Sequence, residues 1–117
     1  MRNFRKWDVY KNAKSCSVLI YQITKSYPEA EKFGLISQLR RASVSVIANI
    51  AEGASRSSEK NFKHFLTMSL GSSFEIEALL EISLDLQFIS RENFDEIMNK
   101  NEVVQKQLNA FISKLDK

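Results

Sequence analysis

The chain has 117 residues, 44% apolar and 26% charged, a composition that suits one folded domain over residues 1–117 with a core of its own. Three Gly and one Pro leave too little turn chemistry for an all-β fold, and the lone Cys16 excludes an internal disulfide and fits a reducing cytoplasm. The net charge of +3 hides an asymmetry, because residues 1–66 carry 12 Lys/Arg against 5 Asp/Glu and residues 67–117 carry 5 against 9. Such a split marks either a nucleic-acid face or oppositely charged helices that attract within a bundle or between subunits.

The N-terminal stretch MRNFRKWDVYKNAKSC has charges but no apolar run of signal-peptide type. No window approaches the roughly 18 uninterrupted apolar residues that would span a bilayer. The expectation is a soluble cytoplasmic chain with no membrane partner. Phe4 and Trp7 stand ahead of the first helix as apolar residues that tuck the N-terminal arm onto the rest.

The first helix is expected from Trp7 or Asp8 to Ser26, with Ala13, Cys16, Ile20, Ile23 and Tyr27 on one face at steps of 3 and 4. Tyr27-Pro28 closes it, since the residue before proline is pushed out of the α region. A second helix is expected from near Glu31 to about Glu52. Leu35, Leu39, Ala42, Val46, Asn49 and Gly53 form one stripe, while Ile36, Ser43, Ile47, Ile50 and Ala54 form an adjacent one. Gly53 is the expected stop, in a left-handed cap conformation.

A third helix is expected to open at Ser57 or Ser58 and run without proline to about Phe88. Phe62, Leu66, Ser69, Ser73, Ile76, Leu80 and Ser83 share a stripe, with Phe65, Leu70, Phe74, Leu79 and Leu84 off it. Gly71-Ser72-Ser73 in its middle would let another helix approach closely. Ser90 is the expected cap of the fourth helix, whose seam is Phe94, Ile97, Asn101, Val104, Leu108, Phe111 and Leu115. Four helices with short connections predict an all-α, antiparallel up-down four-helix bundle. The second and third helices carry more apolar face than one bundle consumes, so a homo-oligomer is expected.

No catalytic constellation is present, and no enzyme activity is expected. The one His and one Cys, His64 and Cys16, are far apart in sequence and neither has an Asp or Asn signature around it. His64 reads as a solvated or phosphate-facing residue and Cys16 as a small buried one. Glu75, Glu77 and Glu81 share a helix without the Glu-x-x-His spacing of di-iron bundles, so no metal and no cofactor is expected. The connector Gly53-Ala54-Ser55-Arg56-Ser57-Ser58 lacks the glycine–lysine spacing of a P-loop. It does precede a helix start, where Arg56, Ser57, Ser58 and Lys60 serve either plain capping or a phosphate contact.

Arg40 and Arg41 point about 100° apart on their helix, so at least one flanks the apolar stripe, where an unpaired charge is expensive. One is expected to pair structurally, with the third helix or another subunit, and the other to be open to a polyanion. Glu52 is in reach of Arg56 at i, i+4 spacing.

The run FGLISQLRRASVSVIANIAEGASRSS, followed by Phe65-Leu66, Gly71-Ser72 and Glu75, resembles the bacterial "four helix bundle protein" family, also called 23S ribosomal RNA intervening-sequence proteins. Trp7, Ala13, Ile20-Tyr21 and Tyr27-Pro28-Glu29 fit the same pattern, so the resemblance covers nearly the whole chain. It implies a four-helix up-down bundle assembled into a ring-like homopentamer. It also implies kinship with the basic accessory proteins of diversity-generating retroelements, which work with nucleic acid and a reverse transcriptase. The basic positions that match the pattern are Arg40, Arg41 and Arg56; Lys60 and Lys63 join them on charge alone. Two functions are therefore in view: an oligomeric module that binds structured RNA or DNA through these residues, or a structural adaptor whose basic helices serve subunit contacts.

Overall fold

The computed structural model describes residues 2–116, leaving the two ends of the expected domain, Met1 and Lys117, outside the described residues. Among them stand four α-helices and no strand: α1 (Asp8–Thr24), α2 (Leu35–Ala54), α3 (Glu59–Asp85) and α4 (Arg91–Leu115), with single 3-10 turns at Phe4–Lys6 and Glu29–Glu31. The expected all-α class is observed.

Capping chemistry sets most of the boundaries. The Ser58 hydroxyl accepts from the Asn61 N–H at 3.1 Å and opens α3, and Ser90 does the same for Asn93 at the start of α4. The start of α2 differs from expectation. Glu29–Glu31 forms a separate 3-10 turn, and α2 begins at Leu35, where the Glu31 carboxylate accepts the Leu35 N–H at 3.1 Å. Glu31 is thus a cap for α2 rather than its first residue. At its other neighbour, α1 stops at Thr24, and Ser26 and Tyr27 fold into a turn whose N–H groups donate to the Ile23 and Thr24 carbonyls.

Two further expectations are corrected. Gly53 is not a left-handed cap, since no described glycine has a positive φ; it lies inside α2, which continues to Ala54. Its function is close approach: a Cβ there would sit 2.8 Å from Phe65 Cβ and 3.3 Å from a Phe62 ring carbon. Helix α3 ends at Asp85, short of Phe88. Gln87 takes φ 62°, with its N–H donating to Leu84 and that of Phe88 to Ser83, which is a Schellman closure built on a non-glycine residue.

The core draws on all four helices. The α1 stripe Ala13, Cys16, Ile20, Ile23 and Tyr27 is buried, as are Phe62, Leu66, Ile76 and Leu80 of α3 and Phe94, Ile97, Val104 and Leu108 of α4. Buried polar side chains cross-link the helices. The hydroxyls of Ser17 (α1) and Ser43 (α2) lie 2.9 Å apart, Ser69 (α3) donates to the Val46 carbonyl at 2.7 Å, and the Asn101 amide (α4) donates to the Ser73 carbonyl at 2.8 Å. Each of these bonds would be left unsatisfied by a slip along the helix axis, so they fix register as well as adhesion.

The second stripe of α2 is consumed largely within the chain. Ser43, Ile50 and Ala54 are buried, and Ile36 and Ile47 are half-buried against the core, because α2 packs between α1 and α3. Gly71 differs from its expected part too: a Cβ there would meet nothing within 4 Å, so the close approach in mid-α3 is made by Ser69 and Ser73 instead.

Candidate nucleic-acid interface

The connections fold the N-terminal arm, the α2–α3 connector and the end of α4 together. Trp7 packs against Phe62 and Phe111, with ring centroids 5.7 and 4.9 Å away, and Phe62 meets Phe111 edge-on at 5.3 Å. The Arg2 N–H donates to the Ala54 carbonyl and its guanidinium to the Arg56 carbonyl at 2.6 Å, while lying 4.2 Å from the Phe62 ring centroid. Lys63 pairs with Asp116 across from α3 to α4. The arm is thus tucked as expected, and it carries Arg2, Arg5 and Lys6 to the end of the molecule that already holds Arg56, Lys60 and Lys63.

The opposite end is marked by Tyr27 against Phe88, with centroids 5.9 Å apart. Around it lie Glu29, Glu31, Glu81, Asp85, Glu92 and Asp95, with fewer cations, Lys25, Lys32 and Arg91, of which Arg91 is paired to Asp95 at 3.3 Å. The basic cluster is not free of carboxylates, since Asp8, Glu52, Glu59 and Asp116 flank it and two of them pair with Arg56 and Lys63, but its cations are in excess.

The five basic residues singled out from sequence divide accordingly. Arg56, Lys60 and Lys63 come together at the basic end, whereas Arg40 and Arg41 lie farther along α2. Arg40 is half-buried: its Nε donates to the Thr24 hydroxyl at 3.0 Å, a terminal nitrogen donates to the Tyr21 carbonyl at 3.2 Å, and its guanidinium lies 4.7 Å from the Tyr21 ring centroid. Arg41 pairs with Glu75 of α3, one of the two partners in view for a paired arginine, and keeps 59% of its side chain exposed. Both arginines thus have partners within the chain, where one had been expected to be open.

At the basic end, Arg56 donates to Glu52 at 2.8 Å, the expected i, i+4 pair, and stacks 4.6 Å from the Phe65 ring centroid. An open cavity of about 510 Å³ lined by Arg2, Ser55, Arg56 and Ser57 lies beside it. Lys60 is exposed and makes no ion pair among the described residues. These pairs are solvent-exposed and each contributes under about 1 kcal/mol, so a phosphate can displace them. Arg2 escaped the sequence reading, although the tucking of Phe4 and Trp7 implies that the residues beside them travel to the same place.

The other singled-out groups keep plain roles. Cys16 is buried, and desolvation pushes its thiol up to about 11 against the opposing field of Lys100. His64 is exposed, edge-on to Phe65. Glu75 serves Arg41, and Glu77 accepts from Gln105 at 3.2 Å. Among the described residues no group of three or more His, Cys, Asp or Glu is placed to hold a metal, and no helix is long and apolar enough to cross a membrane.

Comparison with known proteins places this architecture. The family model of the 23S rRNA-intervening sequence proteins matches residues 5–110. A solved structure, a protein of unknown function from the S23 ribosomal protein family of Bacteroides thetaiotaomicron, is 27% identical and superposes with a TM-score of 0.80 over 89% of this chain and 97% of its own. Among curated proteins, no sequence matches.

Proposed function

The chain belongs to the 23S rRNA-intervening sequence protein family, and on that footing we propose that it is a non-enzymatic bundle that binds the phosphate backbone of structured RNA or DNA. The observation that carries this reading is the gathering of Arg2, Arg5, Lys6, Arg56, Lys60 and Lys63 at one end, in excess over the Asp8, Glu52, Glu59 and Asp116 carboxylates there, while the residues around Tyr27 and Phe88 carry more carboxylates than cations. Such a field draws a polyanion to one pole and turns the other away, a stronger arrangement than the modest net charge implies. Aromatic support under Arg2 and Arg56 holds their guanidiniums in place at low entropic cost.

In this reading the helices form an antiparallel up-down bundle. The pairs Ser17–Ser43 and Thr24–Arg40, Arg41–Glu75 and Ser45–Ser72, and Asn12–Gln107 and Lys100–Ser15 all advance on one helix as they retreat on the next. Copies of the bundle associate through the outer face of α3, where Met68, Phe74 and Ile82, with Leu86 just past its end, stay exposed on the side of the open Gly71. A ring-like pentamer, the assembly that the family resemblance implies, would multiply the basic ends and raise avidity.

The test is fluorescence anisotropy of an end-labelled structured RNA at low salt. Wild-type protein should bind, and Arg56→Glu with Lys60→Glu should weaken binding by about tenfold or more, as loss of two phosphate contacts and gain of two repulsions require. The pairing of Arg41, Arg56 and Lys63 within the chain favours a second reading, a structural adaptor without nucleic-acid binding. Wild-type protein that fails to bind at low salt would overturn the first reading, and loss of the oligomer in Arg41→Glu would then support the second.

A further inference from the structure

Two open cavities adjoin along the seam between α1 and α4, apart from the six cations of the basic end. The larger, about 470 Å³, is lined by Lys11, Lys14, Ser15, Val18 and Leu19 with Lys100 from α4. The smaller, about 180 Å³, is lined by Asn12, Ser15, Lys100 and Val103. Ser15 and Lys100 line both, so the two meet at the Lys100–Ser15 contact and together form a grooved seam. Its walls carry three ammonium groups and no carboxylate.

These lysines differ from the arginines of α2 in what they touch. None of the three is in an ion pair among the described residues. Lys100 reaches the Ser15 hydroxyl at 3.4 Å, a long contact, and the Lys14 ammonium lies 5.3 Å from the Tyr10 ring centroid. Arg41, Arg56 and Lys63 each have a carboxylate beside them. A polyanion approaching the groove displaces no carboxylate, only the long Ser15 contact of Lys100 and the distant Tyr10 ring beside Lys14, so less of its Coulomb gain is offset.

The lining also limits the chemistry. Lys11 and Lys14 are three residues apart on α1 and therefore face the same side, separated by about 4.5 Å of helix rise. Val18, Leu19 and Val103 supply an aliphatic floor, and no aromatic ring lines the groove to stack on a base. Asn12, a side chain able to read a base edge, donates its amide to Gln107 at 3.0 Å. What remains is a contact to phosphates without sequence preference.

We propose that the α1–α4 groove is a second phosphate-backbone contact, through which Lys11, Lys14 and Lys100 hold a nucleic-acid strand that the basic end also engages. This rests on the nucleic-acid reading above. The contact is expected to act in parallel with the basic end, so removing either should leave measurable binding.

The experiment compares wild type with Lys11→Gln/Lys14→Gln/Lys100→Gln in anisotropy titrations against an end-labelled RNA hairpin over a range of salt. Circular dichroism checks the fold, and Lys100→Gln alone serves as a milder variant. The expected result is a loss of about tenfold or more in affinity for the triple variant, with the slope of log K against log salt reduced by about two to three, as removal of that many phosphate contacts dictates. Replacement of the same lysines by arginine should retain binding. Wild-type binding with an unchanged affinity and slope in the triple and single variants would overturn the groove contact while leaving the basic end intact. Failure of wild-type protein to bind at all would overturn both. Displacement of the RNA by poly-glutamate as effectively as by unlabelled RNA would overturn the assignment in favour of an acidic polypeptide.

Discussion

The guanidinium carbon of Arg40 lies over the Tyr21 ring, 4.7 Å from its centroid, and the side chain donates to the Tyr21 carbonyl at 3.2 Å while its Nε donates to the Thr24 hydroxyl. The most conspicuous sequence feature, a paired arginine inside an apolar helix, is thereby resolved: Arg40 bolts α2 to the last turns of α1. Replacing it by Ala should cost about 1–2 kcal/mol of stability through one cation–π contact and charge-assisted hydrogen bonds. Chemical denaturation would register that loss. Nucleic-acid affinity should stay within about twofold of wild type, since a half-buried, engaged arginine gives up little to a phosphate.

Gly53 makes a sharper prediction about packing. Alanine normally gains about 1 kcal/mol over glycine in a helix interior. Here the added methyl would sit 2.8 Å from Phe65 Cβ, an atom too near its own backbone to move aside. Gly53→Ala should therefore destabilise the protein, by about 1–3 kcal/mol, with α2 and α3 pushed apart. A thermal melt that rises instead would contradict this account of the helix contact.

At the far end of α3 the sign is reversed. Gln87 holds φ 62° to close a Schellman motif, a conformation that costs a residue with a Cβ about 1 kcal/mol. Gln87→Gly should raise the midpoint of urea unfolding without changing its slope, corresponding to a gain of about 0.5–1 kcal/mol.

Cys16 carries a pH prediction. Burial lifts its thiol from 9.0 to about 11, so the folded state keeps its proton after the unfolded chain has lost it. Unfolding then releases a proton between these values, and this group's contribution to stability falls as pH rises from about 9 to about 11. A Cys16→Ala variant should lose that part of the alkaline decline. In native protein at neutral pH the thiol should react with a disulfide reagent only as fast as the bundle opens.

Much of the fold was legible because helical periodicity and serine caps act locally. The α1 and α4 stripes, Ser58 and Ser90 all appear where the spacing puts them. The misreadings fall where tertiary contact overrides local preference. Gly53 reads as a stop by composition but is demanded by Phe65, and Gln87 takes a glycine's conformation with no sequence mark. The candidate interface was legible in charge and opaque in geometry. Arg56, Lys60 and Lys63 are near neighbours in sequence and so were found together, whereas Arg2 joins them only because the arm folds back. Lys11, Lys14 and Lys100 converge from helices at opposite ends of the chain, a juxtaposition that no local pattern encodes.

The central claim is that this bundle engages phosphates through unsatisfied or weakly paired cations. The direct measurement is the equilibrium affinity of the wild-type protein for a structured RNA across a salt series. A log–log plot falling with a slope steeper than about −3, equivalent to four or more phosphate contacts, is the predicted result. A flat line, or no binding at the lowest salt, would contradict it.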